Sequence, residues 1–187
     1  VLELIQTQPA LDPDHSFNEQ ALLGQFSEDI KDAIKNHKYL SRLGQTDAQS
    51  FKKLDQVING VERLKVKFRQ TSPLAQRLLC EYLYALSYRG RHVDVLTVRE
   101  QLGKPVHEMP AYVRHSIADA YLATRQPKQA ESVYLSLLSE KNYADMTVYT
   151  SLYYALIEQE KYTEANRMIR EVDKRIPTFQ YSLAKGV

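Results

Sequence analysis

Apolar residues recur at intervals of three and four along most of this chain, the spacing that lines one face of an α-helix. In residues 111–138, Ile117, Ala118, Tyr121 and Leu122 fall on one such face, and Ala130, Val133, Tyr134, Leu137 and Leu138 do so again after a polar turn. Between the two runs stands Arg125-Gln126-Pro127-Lys128. A Pro there suits the first turn of a new helix, because its fixed φ matches and its missing N–H has no partner to lose. The pattern predicts two amphipathic helices packed as a hairpin.

The same pattern returns at a step of 35 residues: Ala85, Ala120 and Ala155 in the first helices, Val95, Ala130 and Ala165 in the second. Leu83, Ala118 and Tyr153 form another column, as do Leu86, Tyr121 and Leu156, and the turn residues Gly90, Arg125 and Glu160. A helix pair repeated at about this length is the mark of a tetratricopeptide-type solenoid, in which each pair buries its apolar face on the next. The match is partial, since the consensus Trp is absent and only the first turn keeps Gly. Small residues at the expected crossings (Ala118, Ala120, Ala130 and Ala165) support it, because close helix approach requires them. The expected fold is all-α: a tetratricopeptide-like right-handed helical solenoid with two long N-terminal helices packed on the repeats.

Read in order, residues 1–15 form an irregular segment with Pro9 and Pro13, and residues 16–70 a long helical hairpin. Ser16 and Glu19 make a capping box for its first helix, Gly44 breaks that helix, and Asp47 is placed to cap the second, which is expected to run to Phe68. Three repeats occupy residues 71–176, at about 76–110, 111–145 and 146–176. Their expected helices are 74–88 and 93–102, then the hairpin above, then 146–158 and 163–175; a long joint, 103–110, separates the first two repeats. Pro177 ends the pattern, and residues 177–187, with Phe179 and Tyr181, are expected to be a loose tail. Val1 and Val187 fall in mid-pattern, so the chain is expected to be cut from a larger protein.

Composition narrows the function. The 187 residues are 43% hydrophobic and 26% charged, typical of a folded chain. The net charge of +2 comes from 25 basic and 23 acidic residues mixed along the sequence, which leaves no basic stripe to follow a nucleic-acid backbone. No apolar run reaches the length of a membrane helix. The lone Cys80 excludes an internal disulfide and any multi-Cys metal site, and is expected to be a buried thiol. The five His residues (His15, His37, His92, His107 and His115) are not spaced to share a helical turn, so neither metal nor cofactor is expected. Phosphate-binding Gly-rich loops and hydrolase motifs are absent, and carboxylate neighbours such as Asp29 with Asp32 are expected on solvated faces, so no catalytic residues are assigned.

Tyr is the residue type that stands out, thirteen against five Phe. In solenoids of this kind the first helix of each pair lines the concave surface. Helical phase then turns Glu81, Tyr84 and Tyr88 of the first repeat, Tyr112, His115 and Asp119 of the second, and Tyr154 and Glu158 of the third towards a groove. A sugar ring lays its C–H face on an aromatic ring, and a protonated amino sugar adds a cation that carboxylates and π faces attract. The plain alternative is that these Tyr are spacers between helices. A generic scaffold binding a protein or peptide would use the same groove, with Arg77, Arg89, Arg91 and Arg114 for an acidic motif.

In 83–94 (LYALSYRGRHVD) and 111–142 (AYVRHSIADAYLATRQPKQAESVYLSLLSEKN) the chain resembles the periplasmic repeat region of the poly-β-1,6-N-acetyl-D-glucosamine export porin of biofilms. The resemblance spans about residues 75–172, is most telling at Pro127-Lys-Gln-Ala-Glu-Ser132, and extends more weakly through residues 17–68. It implies a non-catalytic periplasmic segment of an outer-membrane protein with a C-terminal β-barrel. Its implied partners are the partly de-N-acetylated polymer and the periplasmic deacetylase.

Overall fold

A computed structural model describes residues 19–64, 73–140 and 146–173. The Ser16 cap, the helix continuation to Phe68, Pro177 and the tail 177–187 lie outside the described residues, as does the segment 1–15. The described residues are all-α, with no strand among them. They divide into two compact units, one ending at Gly90 and the other beginning at Arg91. The division falls inside the first expected repeat, with its first helix in one unit and its second in the other.

The first unit contains α1 (Glu19–Arg42), α2 (Asp47–Ser50), α3 (Lys52–Leu64) and α4 (Pro73–Tyr88). α1 buries Leu23, Phe26, Ile30, Ala33 and Ile34, the stripe its period predicts, and packs on α2, α3 and α4. It ends where Gly44 adopts φ +75°, with the amides of Gln45 and Gly44 donating to the carbonyls of Leu40 (3.1 Å) and Ser41 (3.0 Å). This is a Schellman cap, which needs a left-handed residue at that place. The next helix is capped by Thr46 rather than by Asp47. Gln49 Oε1 accepts from the Thr46 amide at 3.2 Å, and Asp47 sits in the first turn, where its charge complements the helix dipole. The single helix expected from Asp47 is interrupted at Phe51, yet Phe51 N still bonds Asp47 O and its carbonyl still accepts from Asp55 N, each at 2.9 Å.

The second unit contains α5 (His92–Gln101), a 3₁₀ turn (Val106–Glu108), α6 (Ala111–Ala123), α7 (Pro127–Leu138), α8 (Met146–Ile157) and α9 (Tyr162–Asp173). Each helix packs on the next in sequence from α5 to α9, and α6 also touches α8. Ala118, Ala130, Tyr134, Leu137, Val148, Leu152, Ala155 and Ala165 share one core. Full burial of each large apolar side chain contributes roughly 1.5–3 kcal/mol, which isolated helices of this length lack. The 3₁₀ turn in the long joint was not legible in the sequence; it places Met109 in the interior, 5% exposed.

Positions 35 residues apart share local states. Ala85, Ala120 and Ala155 are each 0% exposed, and so are Val95, Ala130 and Ala165. Gly90, Arg125 and Glu160 all have positive φ, 78°, 61° and 59°. Arg125 and Glu160 close the same Schellman cap: Gln126 N donates to Tyr121 O at 2.8 Å, and Lys161 N to Leu156 O at 3.0 Å. Both helix ends therefore hold a charged residue in the left-handed region that favours Gly.

Candidate functional site

α6 carries Tyr112, His115 and Asp119 at successive turns of one face. Ser116 anchors the start of this run by donating its hydroxyl to Tyr112 O at 3.0 Å. His115 is mostly buried, with Nε2 at 3.6 Å from Asp119 Oδ1 and its ring edge-on to Tyr134. Asp119 Oδ1 accepts a 2.6 Å hydrogen bond from the Tyr134 hydroxyl. Burial, and then the Asp119 charge, push the ionisation of that hydroxyl far above the ordinary Tyr range.

Asp119 opens onto a concavity of about 540 Å³, lined also by Leu122 and Ala123 of α6, Arg125 of the following turn, Tyr154 and Glu158 of α8, and His92 at the start of α5. Tyr154 is 42% exposed, and its ring meets that of Tyr153 edge-on at 5.6 Å. Glu158 is one turn on, and its Oε1 accepts from Arg125 Nη1 at 2.7 Å. The arrangement joins an exposed aromatic face, two carboxylates and one guanidinium in an open depression.

Of the residues expected from helical phase, Asp119, Tyr154 and Glu158 thus come together, while His115 and Tyr112 stand one and two turns before Asp119 on α6. Glu81, Tyr84 and Tyr88 belong to the first unit, all on α4 and all half-buried. Burial and then the neighbouring Glu81 charge raise the Tyr84 ionisation, and burial followed by Tyr84 raises that of Tyr88. Tyr88 lies edge-on to His37 at 5.7 Å and to Phe51 at 6.4 Å, inside an aromatic cluster where His37 stacks on Phe51 at 3.8 Å. Phase did not single out His92, Leu122, Ala123 or Arg125. The available signal for Arg125 was its column with Gly90, which marks a helix end and hence a rim.

The arginines considered for an acidic partner are largely engaged within the chain. Arg114 is 5% exposed, donating to Ser136 Oγ at 3.2 Å and pairing with Glu140. That burial makes it a structural residue and corrects its assignment to the groove. Arg89 pairs with Asp55 at 2.8 Å and lies 4.4 Å over the Phe51 ring, and Arg91 pairs with Asp94 at 2.6 Å. Cys80 is buried. Among the described residues no three His, Cys, Asp or Glu side chains converge as a metal site, and no helix is long and apolar enough to cross a membrane.

The second unit is, in class, an all-helical domain that presents an acidic and aromatic depression at its surface. Residues of this chain are 30% identical over 114 positions to the poly-β-1,6-N-acetyl-D-glucosamine export protein of Escherichia coli K12, and equally so to that of Escherichia coli O157:H7. The match covers 56% of this chain and 13% of the length of each relative. No protein-family model and no solved structure matches the chain.

Proposed function

We propose that this chain is a non-catalytic, tetratricopeptide-like repeat domain of an outer-membrane exopolysaccharide export protein. In this reading it lies in the periplasm and binds partly de-N-acetylated poly-β-1,6-N-acetyl-D-glucosamine, its deacetylase, or both. The observation that carries it is the shared concavity of Asp119, Tyr154 and Glu158 in a chain similar to proteins that bear that export name. The Tyr154 ring offers a face for the C–H side of a sugar, and the carboxylates offer partners for a glucosaminium ammonium. Weak contacts of this kind, repeated along a polymer, hold it while letting each unit exchange, which suits a moving chain.

Calorimetric titration of the protein with β-1,6-glucosamine oligomers, partly de-N-acetylated or fully acetylated, tests this reading. The expected result is tighter binding of the de-N-acetylated oligomer, weakened at least several-fold by Tyr154→Ala and by Asp119→Asn, a change that keeps an acceptor for Tyr134. Tight binding of the deacetylase with neither oligomer bound would overturn the polymer-binding part and leave the deacetylase-binding part alone.

A further inference from the structure

Glu158 does not meet the concavity as a free carboxylate, because Arg125 reaches across from the α6–α7 turn and occupies Oε1 at 2.7 Å. The two side chains differ in surroundings: Arg125 is 82% exposed, whereas that of Glu158 is 29% exposed. A single contact from an exposed guanidinium is held weakly and exchanges readily with solvent or with another cation. Asp119, by contrast, has one oxygen fixed by the buried Tyr134 hydroxyl, and its charge is not cancelled by that neutral donor. Among the charged lining residues Asp119, Glu158 and Arg125, the guanidinium therefore halves the local negative charge.

We propose that Arg125 is a tethered counter-ion which an incoming ammonium must displace from Glu158, and that it thereby sets the preference of the concavity for cationic over neutral sugar units. The proposal rests on the polysaccharide reading above. A neutral N-acetylated unit leaves the Arg125–Glu158 pair intact and contacts Tyr154. A de-N-acetylated unit replaces the guanidinium at Glu158, and Arg125, already exposed, swings into water. The site then discriminates by the difference between two ion pairs on one carboxylate, which tempers its selectivity and keeps a mixed polymer from stalling at its charged units.

The test compares wild type, Arg125→Gln and Arg125→Gly with the same two oligomers at low and high salt. Gly suits the +61° φ at this position, so that variant keeps the cap without backbone strain. Both variants are expected to bind the de-N-acetylated oligomer roughly threefold to tenfold more tightly, as loss of an exposed competing pair allows. Their salt dependence should steepen, with binding of the acetylated oligomer unchanged. If wild type binds as the polysaccharide reading expects but neither variant alters the preference, the counter-ion role is overturned and that reading stands. If wild type binds neither oligomer and the variants bind the de-N-acetylated one, the counter-ion role stands and the reading of the native chain falls. Absence of binding in all three proteins overturns both.

Discussion

The hydroxyl of Tyr134, a side chain with 0% exposure, donates at 2.6 Å to Oδ1 of Asp119, so a core residue of α7 orients a carboxylate at the rim of an open concavity. Packing and site chemistry are joined at this bond. Tyr134→Phe keeps the ring in the core and removes only the donor. It is expected to lower stability by about 1.5–3 kcal/mol, the range for a hydrogen bond to a charged group. Urea denaturation measures this, and an unchanged midpoint would mean that the bond contributes nothing.

Glu131 ties the start of α7 to the α8–α9 turn. Its oxygens accept from Lys161 Nζ at 2.7 and 3.0 Å and from Gln159 Nε2 at 2.7 Å, and Gln159 also donates to Ala155 O at 3.0 Å. Burial works against the Glu131 charge, but the hydrogen bonds from Lys161 and Gln159 and the Lys161 charge outweigh it and hold the carboxyl below its usual range. A lowered folded pKa means stability that is present above the unfolded value of 4.5 and is lost as pH falls through the folded one. Glu131→Gln should therefore lower the melting temperature by about 2–4 °C at pH 7 and shrink that deficit in acid. A deficit that stays constant from pH 7 to pH 3 would contradict this.

The left-handed helix ends invite opposite substitutions. Glu160→Gly relieves a side chain at φ +59° and should stabilise the protein, whereas Gly90→Ala imposes the same strain at +78°. A Cβ at Gly90 would meet nothing within 4 Å, so its effect is conformational alone. Each change is expected to be about 1 kcal/mol, of opposite sign. Thermal melts of the two variants beside wild type decide it, and shifts in the same direction would refute it.

Ala120 and Ala155 are both 0% exposed, whereas Ala123, on the same helix as Ala120, is exposed. Ala120→Leu or Ala155→Leu should destabilise by about 1–3 kcal/mol or more through overpacking, with Ala123→Leu near neutral as the control. Equal effects at all three positions would show that close helix approach does not depend on these small residues.

Several elements were legible because they depend on local rules. Gly44 and Pro127 mark helix boundaries through backbone geometry, and the helices of residues 111–157 begin and end within about one residue of the expected positions. The sequence points to Asp47 as the cap where the structure uses Thr46, because adjacent polar residues can both cap and only the position of Gln49 selects between them. Tyr134, 0% exposed, and Tyr154, 42% exposed, both sit at helical spacing, and their roles separate only in three dimensions.

The sequence by itself determined the all-helical class, the recurrence at 35 residues and the small buried positions within it, because period and steric size are written residue by residue. Tertiary structure alone decided that Asp119 would accept a hydrogen bond from the Tyr134 hydroxyl, that Arg114 would be buried beside Ser136 and Glu140, and that Arg125 would reach Glu158. Helical phase states which way a side chain points from its own axis. What it meets there depends on how neighbouring helices and their turns are set against it, and that is fixed by packing across residues far apart in the chain.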